Sequence, residues 1–217
     1  MTLSLVGMPG CGKSTVGRQL ARQLNLVFVD SDAEIEQRIG MPIRLFFEQH
    51  GEPAFRAVEQ DVIDEFAGRP GQVLATGGGA VLSPSNRDAL HSRSHVLYLR
   101  TTPEELARRL RNDTHRPLLQ VDDPLKRLRE LFRERDPLYR RTAHFVIEAA
   151  RPSVPALLNM AMMQLEMAGL VDASRHVSPP TPTSASSSPG ASPASTAASP
   201  LPSARPQPAG QASAPDT

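Results

Sequence analysis

The sequence lacks three features, and each absence argues against a different class of protein. It has one cysteine, Cys11, so an internal disulfide framework is excluded. It has no strong excess of either charge: 24 Lys and Arg against 23 Asp and Glu give a net charge of +1, which argues against general attraction to nucleic acid or membranes. It has no apolar run that could span a bilayer and no secretory leader pattern. We therefore expect a cytoplasmic chain with no nucleic-acid or membrane partner.

Aliphatic and aromatic residues are nearly absent from the C-terminal end of the chain. Residues 174–217 are dominated by Ser, Pro and Ala and carry very few charges. Such a segment cannot bury enough apolar surface to offset the entropy lost on ordering. The composition therefore predicts a folded domain over residues 1–170 and a disordered tail over residues 174–217.

A glycine-rich segment follows the first apolar run, residues 3–6. It reads Gly-Met-Pro-Gly-Cys-Gly-Lys-Ser-Thr over residues 7–15. The spacing G-x-x-x-x-G-K-S between a buried strand and an amphipathic helix is that of a phosphate-binding loop, or P-loop. In such a loop Lys13 reaches the β- and γ-phosphates, and the Ser14 hydroxyl is a direct Mg²⁺ ligand. The residues predicted to bind ATP here are Gly10, Cys11, Gly12, Lys13, Ser14 and Thr15.

Short apolar runs alternate with longer helical patterns over residues 1–170. Strands are predicted at residues 3–6, 26–29, 73–76, 96–99 and 145–147, and helices near 13–24, 32–39, 52–67, 84–90, 103–110, 124–135 and 153–167. This order predicts a three-layer α/β fold, with a short parallel sheet between helices on both faces. Ligands of such a fold bind at the carboxyl ends of the strands. The polar segment at about residues 111–123 is predicted to be a mobile lid.

Two carboxylates, Asp30 and Asp32, follow the second predicted strand. They flank Ser31 at the ligand edge, so we expect their side chains to diverge. One could hold a metal-bound water near Ser14, and the other could orient an acceptor hydroxyl and take its proton. The alternative is that one of them caps the helix that follows.

Two other segments predict contacts to a second substrate. Residues 77–79 are three glycines after the third strand, which suggests a bare backbone surface for a small hydroxylated molecule; the alternative is a tight turn. Arg56 lies at the start of an amphipathic helix, and Glu59 is placed one turn later to fix its guanidinium group. The alternative for this pair is a solvated surface ion pair.

Together these segments resemble the shikimate kinases. The P-loop and residues 30–32, 51–59, 76–80, 116–119 and 135–139 occur in the order seen in that family, over about residues 2–167. The resemblance implies a P-loop kinase fold and ATP-dependent phosphorylation of the 3-hydroxyl of shikimate to 3-phosphoshikimate and ADP. It places that reaction in the shikimate pathway to the aromatic amino acids, with Mg²⁺ as cofactor and shikimate and ATP as partners.

The resemblance also assigns roles to individual residues. The implied shikimate contacts are Asp32, Arg56, Gly78 and Arg135, and the implied catalytic residues are Lys13, Asp32 and Arg116. Arg116 matches the lid arginine that contacts ATP, and Asp30 matches a carboxylate that assists Mg²⁺ through water. For the adenine contact Arg109, Arg111 and Arg151 all remain candidates.

Other interpretations stay open at this point. The chain could be another small-metabolite kinase of the same architecture, such as a gluconate kinase, although two arginines and a glycine surface favour an alicyclic carboxylate. It could also be a nucleotide-dependent binding module whose tail recruits a partner. His91 and His95 are four residues apart and could bind a metal on one helix, but we interpret them as surface histidines. We expect a monomer.

Overall fold

A parallel sheet of five strands forms the centre of the protein. The computed structural model describes residues 1–111, 123–148 and 153–172. The strands are β1 (Thr2–Val6), β2 (Val27–Asp30), β3 (Gln72–Ala75), β4 (His95–Arg100) and β5 (Phe145–Glu148), in the spatial order β2-β3-β1-β4-β5. All four pairings are parallel, and each strand end lies within one residue of its prediction.

Seven helices cover the sheet within the described residues. They are α1 (Lys13–Leu24), α2 (Ser31–Ile39), α3 (Ile43–Ala67), α4 (Pro84–Arg93), α5 (Pro103–Leu110), α6 (Pro124–Thr142) and α7 (Val154–Met167). A short 3-10 helix, Ala80–Leu82, follows the three glycines. The predicted α/β fold is confirmed. None of the helices in the described part of the chain is long and apolar enough to cross a membrane.

The three central strands carry side chains that are buried on both faces of the sheet. Leu5 of β1 lies opposite Ala75 of β3 and Leu97 of β4, and each of the three is at most 1% exposed. Helices cover both faces, so these strands show no alternation of apolar and polar residues. Burying one leucine side chain of this kind stabilises the fold by about 1.5–3 kcal/mol.

Helices α3 and α6 are longer than the sequence pattern predicts. The predicted start at residue 52 follows Gly51, but helical structure already begins at Ile43, and Gly51 joins two helical stretches with a left-handed φ of 77°. The predicted end of α6 at residue 135 precedes Pro137, but the helix continues to Thr142. Proline is a weak boundary signal here, because buried residues such as Tyr139 continue the packing beyond Pro137. Gly51 does interrupt the helix, so the prediction missed only the separate stretch before it.

Three predicted features lie outside the described residues. They are most of the predicted lid, including Arg116, the candidate adenine contact Arg151, and the predicted tail at residues 174–217. Of the lid segment 111–123, only its two end residues are described.

A histidine cluster lies at the amino edge of the sheet. His91 is in α4 and His95 begins β4, so the two do not share a helix. A third histidine that the sequence spacing did not suggest, His144, stacks on His91 with ring centroids 4.4 Å apart. Even so, no group of three or more His, Cys, Asp or Glu side chains in residues 1–111, 123–148 and 153–172 is placed to hold a metal ion.

Candidate active site

The P-loop connects β1 to α1 at the carboxyl edge of the sheet. Gly10 and Gly12 have φ values of 84° and 101°, which side chains with a Cβ rarely adopt. Gly12 is the N-cap of α1 and provides no side chain to bond the first helical N–H groups. These groups and the positive end of the helix dipole are therefore available to a phosphate.

Lys13 lies inside this loop and is only 8% exposed. Its Nζ donates hydrogen bonds to the carbonyl oxygens of Gly7 at 2.8 Å and Met8 at 3.1 Å. Cys11 is fully buried, with its Sγ 3.9 Å from the Lys13 Nζ. The ammonium group is therefore held at the loop before any phosphate enters.

The end of α5 packs against the same loop. A Cβ on Gly10 would lie 2.8 Å from the Leu110 side chain. Arg109 Nη1 donates to the Cys11 carbonyl at 3.5 Å. Of the two described candidates for the adenine contact, Arg109 and Arg111, it is Arg109 that reaches the P-loop.

Asp30 caps a helix and also contacts the P-loop serine. Its Oδ1 accepts a hydrogen bond from the Asp32 backbone N–H at 3.2 Å, so Asp30 is the N-cap of α2. Its Oδ2 accepts from the Ser14 hydroxyl at 2.7 Å. The capping alternative is therefore correct for Asp30, and its second oxygen still faces the P-loop serine.

These oxygens suit a magnesium ion. A hydroxyl and a carboxylate are hard oxygen ligands, and Mg²⁺ is commonly held by one or two such groups together with water and substrate phosphates. The described residues offer no larger acidic cluster at which a cation would be bound by protein alone. Ser14 and Asp30 are thus a donor set that fits Mg²⁺ beside a bound triphosphate.

The three glycines pack against other predicted site residues. A Cβ on Gly77 would lie 2.6 Å from Asp32 Oδ1, one on Gly78 would lie 2.6 Å from the Pro9 ring, and one on Gly79 would lie 2.7 Å from Arg56 Nη1. The Gly77 N–H also donates to the buried Ser31 hydroxyl at 2.9 Å. The glycine segment therefore brings Asp32, Arg56 and the P-loop together, in addition to providing a bare surface.

Arg56 is held by two carboxylates of its own helix. Its Nη1 donates to Glu59 at 2.6 Å, and its Nε and Nη2 donate to Glu52 Oε1 at 3.1 and 2.9 Å. Glu59 is 1% exposed, so the surface-pair alternative is wrong for this contact. Burial raises the pKa of the Glu59 carboxyl above its usual value, although the Arg56 charge opposes that shift.

Arg135 approaches the glycine segment from α6. Its Nη1 donates to the Gly78 carbonyl at 3.2 Å, and the hydroxyl of Tyr139 donates to the same oxygen at 2.6 Å. The Nε of Arg135 is buried and has no hydrogen-bond partner among the described residues. Sequence reasoning missed Tyr139; its position four residues after Arg135, on the same helical face, was the available signal.

Comparison with known proteins gives a consistent result. The profile of the shikimate kinase family matches residues 9–166. The shikimate kinase of Paracidovorax citrulli is 58% identical over 173 residues, which are 78% of this chain and 94% of that protein.

Solved structures agree with the sequence comparison. The structure of shikimate kinase from Acinetobacter baumannii in complex with shikimate has a TM-score of 0.72 and 43% identity, and the match covers 79% of this chain and 95% of that one. A gluconokinase from Sinorhizobium meliloti matches with a TM-score of 0.51 and 18% identity, which shows a shared fold and nothing more. With most of its length matched by the family profile and by a relative of this identity, the chain belongs to the shikimate kinase family.

Proposed function

We propose that the chain transfers the γ-phosphoryl group of ATP to the 3-hydroxyl of shikimate, giving 3-phosphoshikimate and ADP. The observation that carries this proposal is the convergence of Asp32, Arg56 and Arg135 on residues 77–79, beside the P-loop. The P-loop supplies the site for the triphosphate, and the two arginines supply the site for an anionic acceptor.

The two guanidinium groups suit the carboxylate of shikimate. Arginine presents a planar set of donors that binds a carboxylate through two parallel hydrogen bonds. Arg135 donates from Nη1 to the Gly78 carbonyl, which fixes its guanidinium group beside the glycine segment, where it can meet a carboxylate. Arg56 lies against Gly79 on the same segment.

Asp32 is proposed as the group that orients the attacking hydroxyl and accepts its proton. Its carboxylate lies next to Gly77, and the residue lies in the first turn of α2, after the Asp30 cap. Lys13 is proposed to bind the transferring phosphoryl group and to stabilise its charge. In this proposal the P-loop binds the phosphoryl donor and Asp32 binds the acceptor hydroxyl, so the phosphoryl group passes in line from one to the other.

Mg²⁺ is proposed to be held directly by Ser14 and, through water, by Asp30. When bound, it neutralises charge on the β- and γ-phosphates. Arg116, in the proposed lid, would contact ATP and exclude water. We also propose that the enzyme is a monomer and acts in the cytoplasm, where a reducing environment suits the unpaired Cys11.

An assay of ADP release with purified full-length protein tests this proposal. We expect release with ATP, Mg²⁺ and shikimate, and no more than background release with shikimate omitted or replaced by gluconate. Turnover of gluconate without turnover of shikimate would support the gluconate kinase alternative. Nucleotide binding without turnover of either alcohol would support the binding-module alternative.

The variant Asp32→Asn tests the role of the acceptor carboxylate. We expect kcat to fall by roughly 10²–10⁴-fold, because the amide cannot take the proton. The KM for ATP should change little, since the carboxylate serves the acceptor. Steady-state kinetics with each substrate varied in turn provides the measurement, and wild-type turnover would remove Asp32 from the proposed mechanism.

A further inference from the structure

The turn of α6 that carries Arg135 has a local weakness. Pro137 lies inside the helix and has no N–H to donate to the carbonyl of Arg133, one turn earlier. The backbone around Arg135 is therefore held by fewer helical hydrogen bonds than an ordinary turn. The orientation of this turn therefore depends on contacts made by its own side chains.

Asp136 makes such contacts with three donors. Its Oδ1 accepts from the Tyr98 hydroxyl at 2.7 Å and from Arg100 Nε at 2.9 Å, and its Oδ2 accepts from Arg140 Nε at 2.9 Å. Tyr98 and Arg100 belong to β4, so the carboxylate fastens α6 to the sheet. The Asp136 side chain is only 15% exposed, which makes these charge-assisted bonds stronger than those of a solvated pair.

The network around Asp136 favours the ionised carboxylate. Burial by itself opposes ionisation, but the hydrogen bonds from Tyr98, Arg140 and Arg100 outweigh it and hold the pKa of Asp136 below its usual value. Arg100 is itself fixed by an ion pair with Glu148 of β5 and by its position over the Phe132 ring. The ionised Asp136 carboxylate therefore anchors α6 to β4, and through Arg100 and Glu148 to β5.

The same turn reaches the substrate site on its other side. Arg135 and Tyr139 both donate to the Gly78 carbonyl, and the Tyr139 ring stacks on Tyr98 with centroids 4.9 Å apart. Tyr98 thus contacts both Asp136 and Tyr139. A rotation of the helix that broke the Asp136 contacts would move the Arg135 guanidinium away from the glycine segment.

We propose that Asp136 is a positioning residue for substrate binding: its bonds to Tyr98 and Arg100 hold the Arg135 guanidinium where it receives the carboxylate of the acceptor. This inference rests on the proposed function, because Arg135 is assigned there to the acceptor. It adds a residue that touches neither substrate and acts through its neighbour.

Steady-state kinetics of Asp136→Asn tests the inference. We expect the KM for shikimate to rise on the order of tenfold, with smaller changes in kcat and in the KM for ATP. A matched control is Asp64→Asn, which removes an exposed ion pair with Arg93 and should leave all three constants unchanged. If the wild-type enzyme fails to phosphorylate shikimate, the proposed function fails; if it succeeds and folded Asp136→Asn matches it, only this inference fails.

Two further variants separate positioning from general stability. Tyr98→Phe removes one hydrogen bond to Asp136 but keeps the stacked ring, so it should raise the KM for shikimate less than Asp136→Asn does. In the Arg135→Ala background, Asp136→Asn should raise KM no further, because the residue through which it acts is gone. A KM that rises by the same factor with and without Arg135 would overturn the inference, as would an unchanged KM in Tyr98→Phe.

Discussion

At the scale of single residues, Glu52 occupies the donors of Arg56 that a carboxylate ligand would use. Its Oε1 accepts from both Nε and Nη2 of that arginine, and its side chain is 61% exposed. The buried Glu59, by contrast, binds Nη1 on the far side of the guanidinium group. An incoming carboxylate therefore competes with Glu52 and leaves Glu59 in place.

The variant Glu52→Gln is expected to bind shikimate more tightly. An exposed ion pair of this kind contributes about 0.2–1 kcal/mol, so the KM for shikimate should fall by about 1.4- to 5-fold, with kcat nearly unchanged. Glu48→Gln is a matched control, since Glu48 forms an exposed pair with Arg44 in the same helix. A rise in KM in Glu52→Gln alone would show instead that Glu52 orients Arg56 for the substrate.

Gly79 and Gly68 allow a test of the space around Arg56. The two glycines have nearly the same backbone angles, φ −100° and ψ −5° against φ −97° and ψ −5°. A Cβ on Gly79 would lie 2.7 Å from Arg56 Nη1, whereas one on Gly68 has no neighbour closer than 3.6 Å.

Gly79→Ala should therefore displace the Arg56 guanidinium and raise the KM for shikimate by roughly tenfold. Gly68→Ala should leave the kinetic constants within about twofold of wild type, because its Cβ makes only ordinary contacts. Kinetics of the two variants side by side measures the difference. Equal effects would mean that the loss comes from the added methyl group in general.

At the scale of elements, the histidine cluster links α4, β4 and the start of β5. The Val96 N–H donates to His144 Nδ1 at 3.1 Å, so that nitrogen must stay unprotonated, and His91 Nδ1 donates to the Thr142 carbonyl at 3.1 Å. Burial lowers the pKa of His144, and the neighbouring His91 and His95 add to the shift. The folded protein therefore favours the neutral imidazole.

This shift predicts a loss of stability in mild acid. Stability from His144 is complete above its unfolded pKa of about 6.5 and is lost as the pH falls from there through the lower folded value. His144→Asn keeps an acceptor for Val96 but cannot titrate, so its melting temperature should fall less than that of wild type between about pH 7.5 and 5.5. An equal fall in melting temperature in both proteins would show that groups other than His144 cause the acid sensitivity.

The elements themselves could largely be predicted from local sequence. The strands follow from buried apolar runs. Helices α1 and α5 begin and end where predicted, and Gly12 and Thr102 are the N-cap residues that mark where they begin. The extension of α6 could not be predicted, since tertiary packing of residues such as Tyr139 outweighs the break expected at Pro137. In α3 the break expected at Gly51 is present, and the helical stretch before it carries no strong local signal.

The candidate site was predictable only in part, and for a similar reason. The resemblance proposed Arg56 and Arg135 as substrate contacts, but the contacts of Asp136 and Tyr139 join residues 38 and 61 positions apart. No local pattern encodes such pairs. The dual use of Asp30, which caps α2 and binds Ser14, also requires the fold to bring β2 next to the P-loop.

At the scale of the whole molecule, the family resemblance ends before the chain does. The family profile stops at residue 166, and Leu170 and Val171 still pack against the core. A truncation after Asp172 should therefore leave kcat and both KM values within about twofold of the full-length enzyme. Kinetics of the two proteins at equal concentration measures this, and a large loss of activity would give the C-terminal segment a catalytic role.

The shared acceptor at the Gly78 carbonyl has a mechanical consequence. Because Arg135 and Tyr139 both donate to that oxygen, α6 and the glycine segment are tied together at one point. Helix α3, which carries Arg56, has no such tie to the described residues at Gly51, where its two helical stretches meet at φ 77° and ψ 173°, outside the helical region. We therefore expect any adjustment on substrate binding to be a bend of α3 about this glycine, while Arg135 keeps its place beside Gly78.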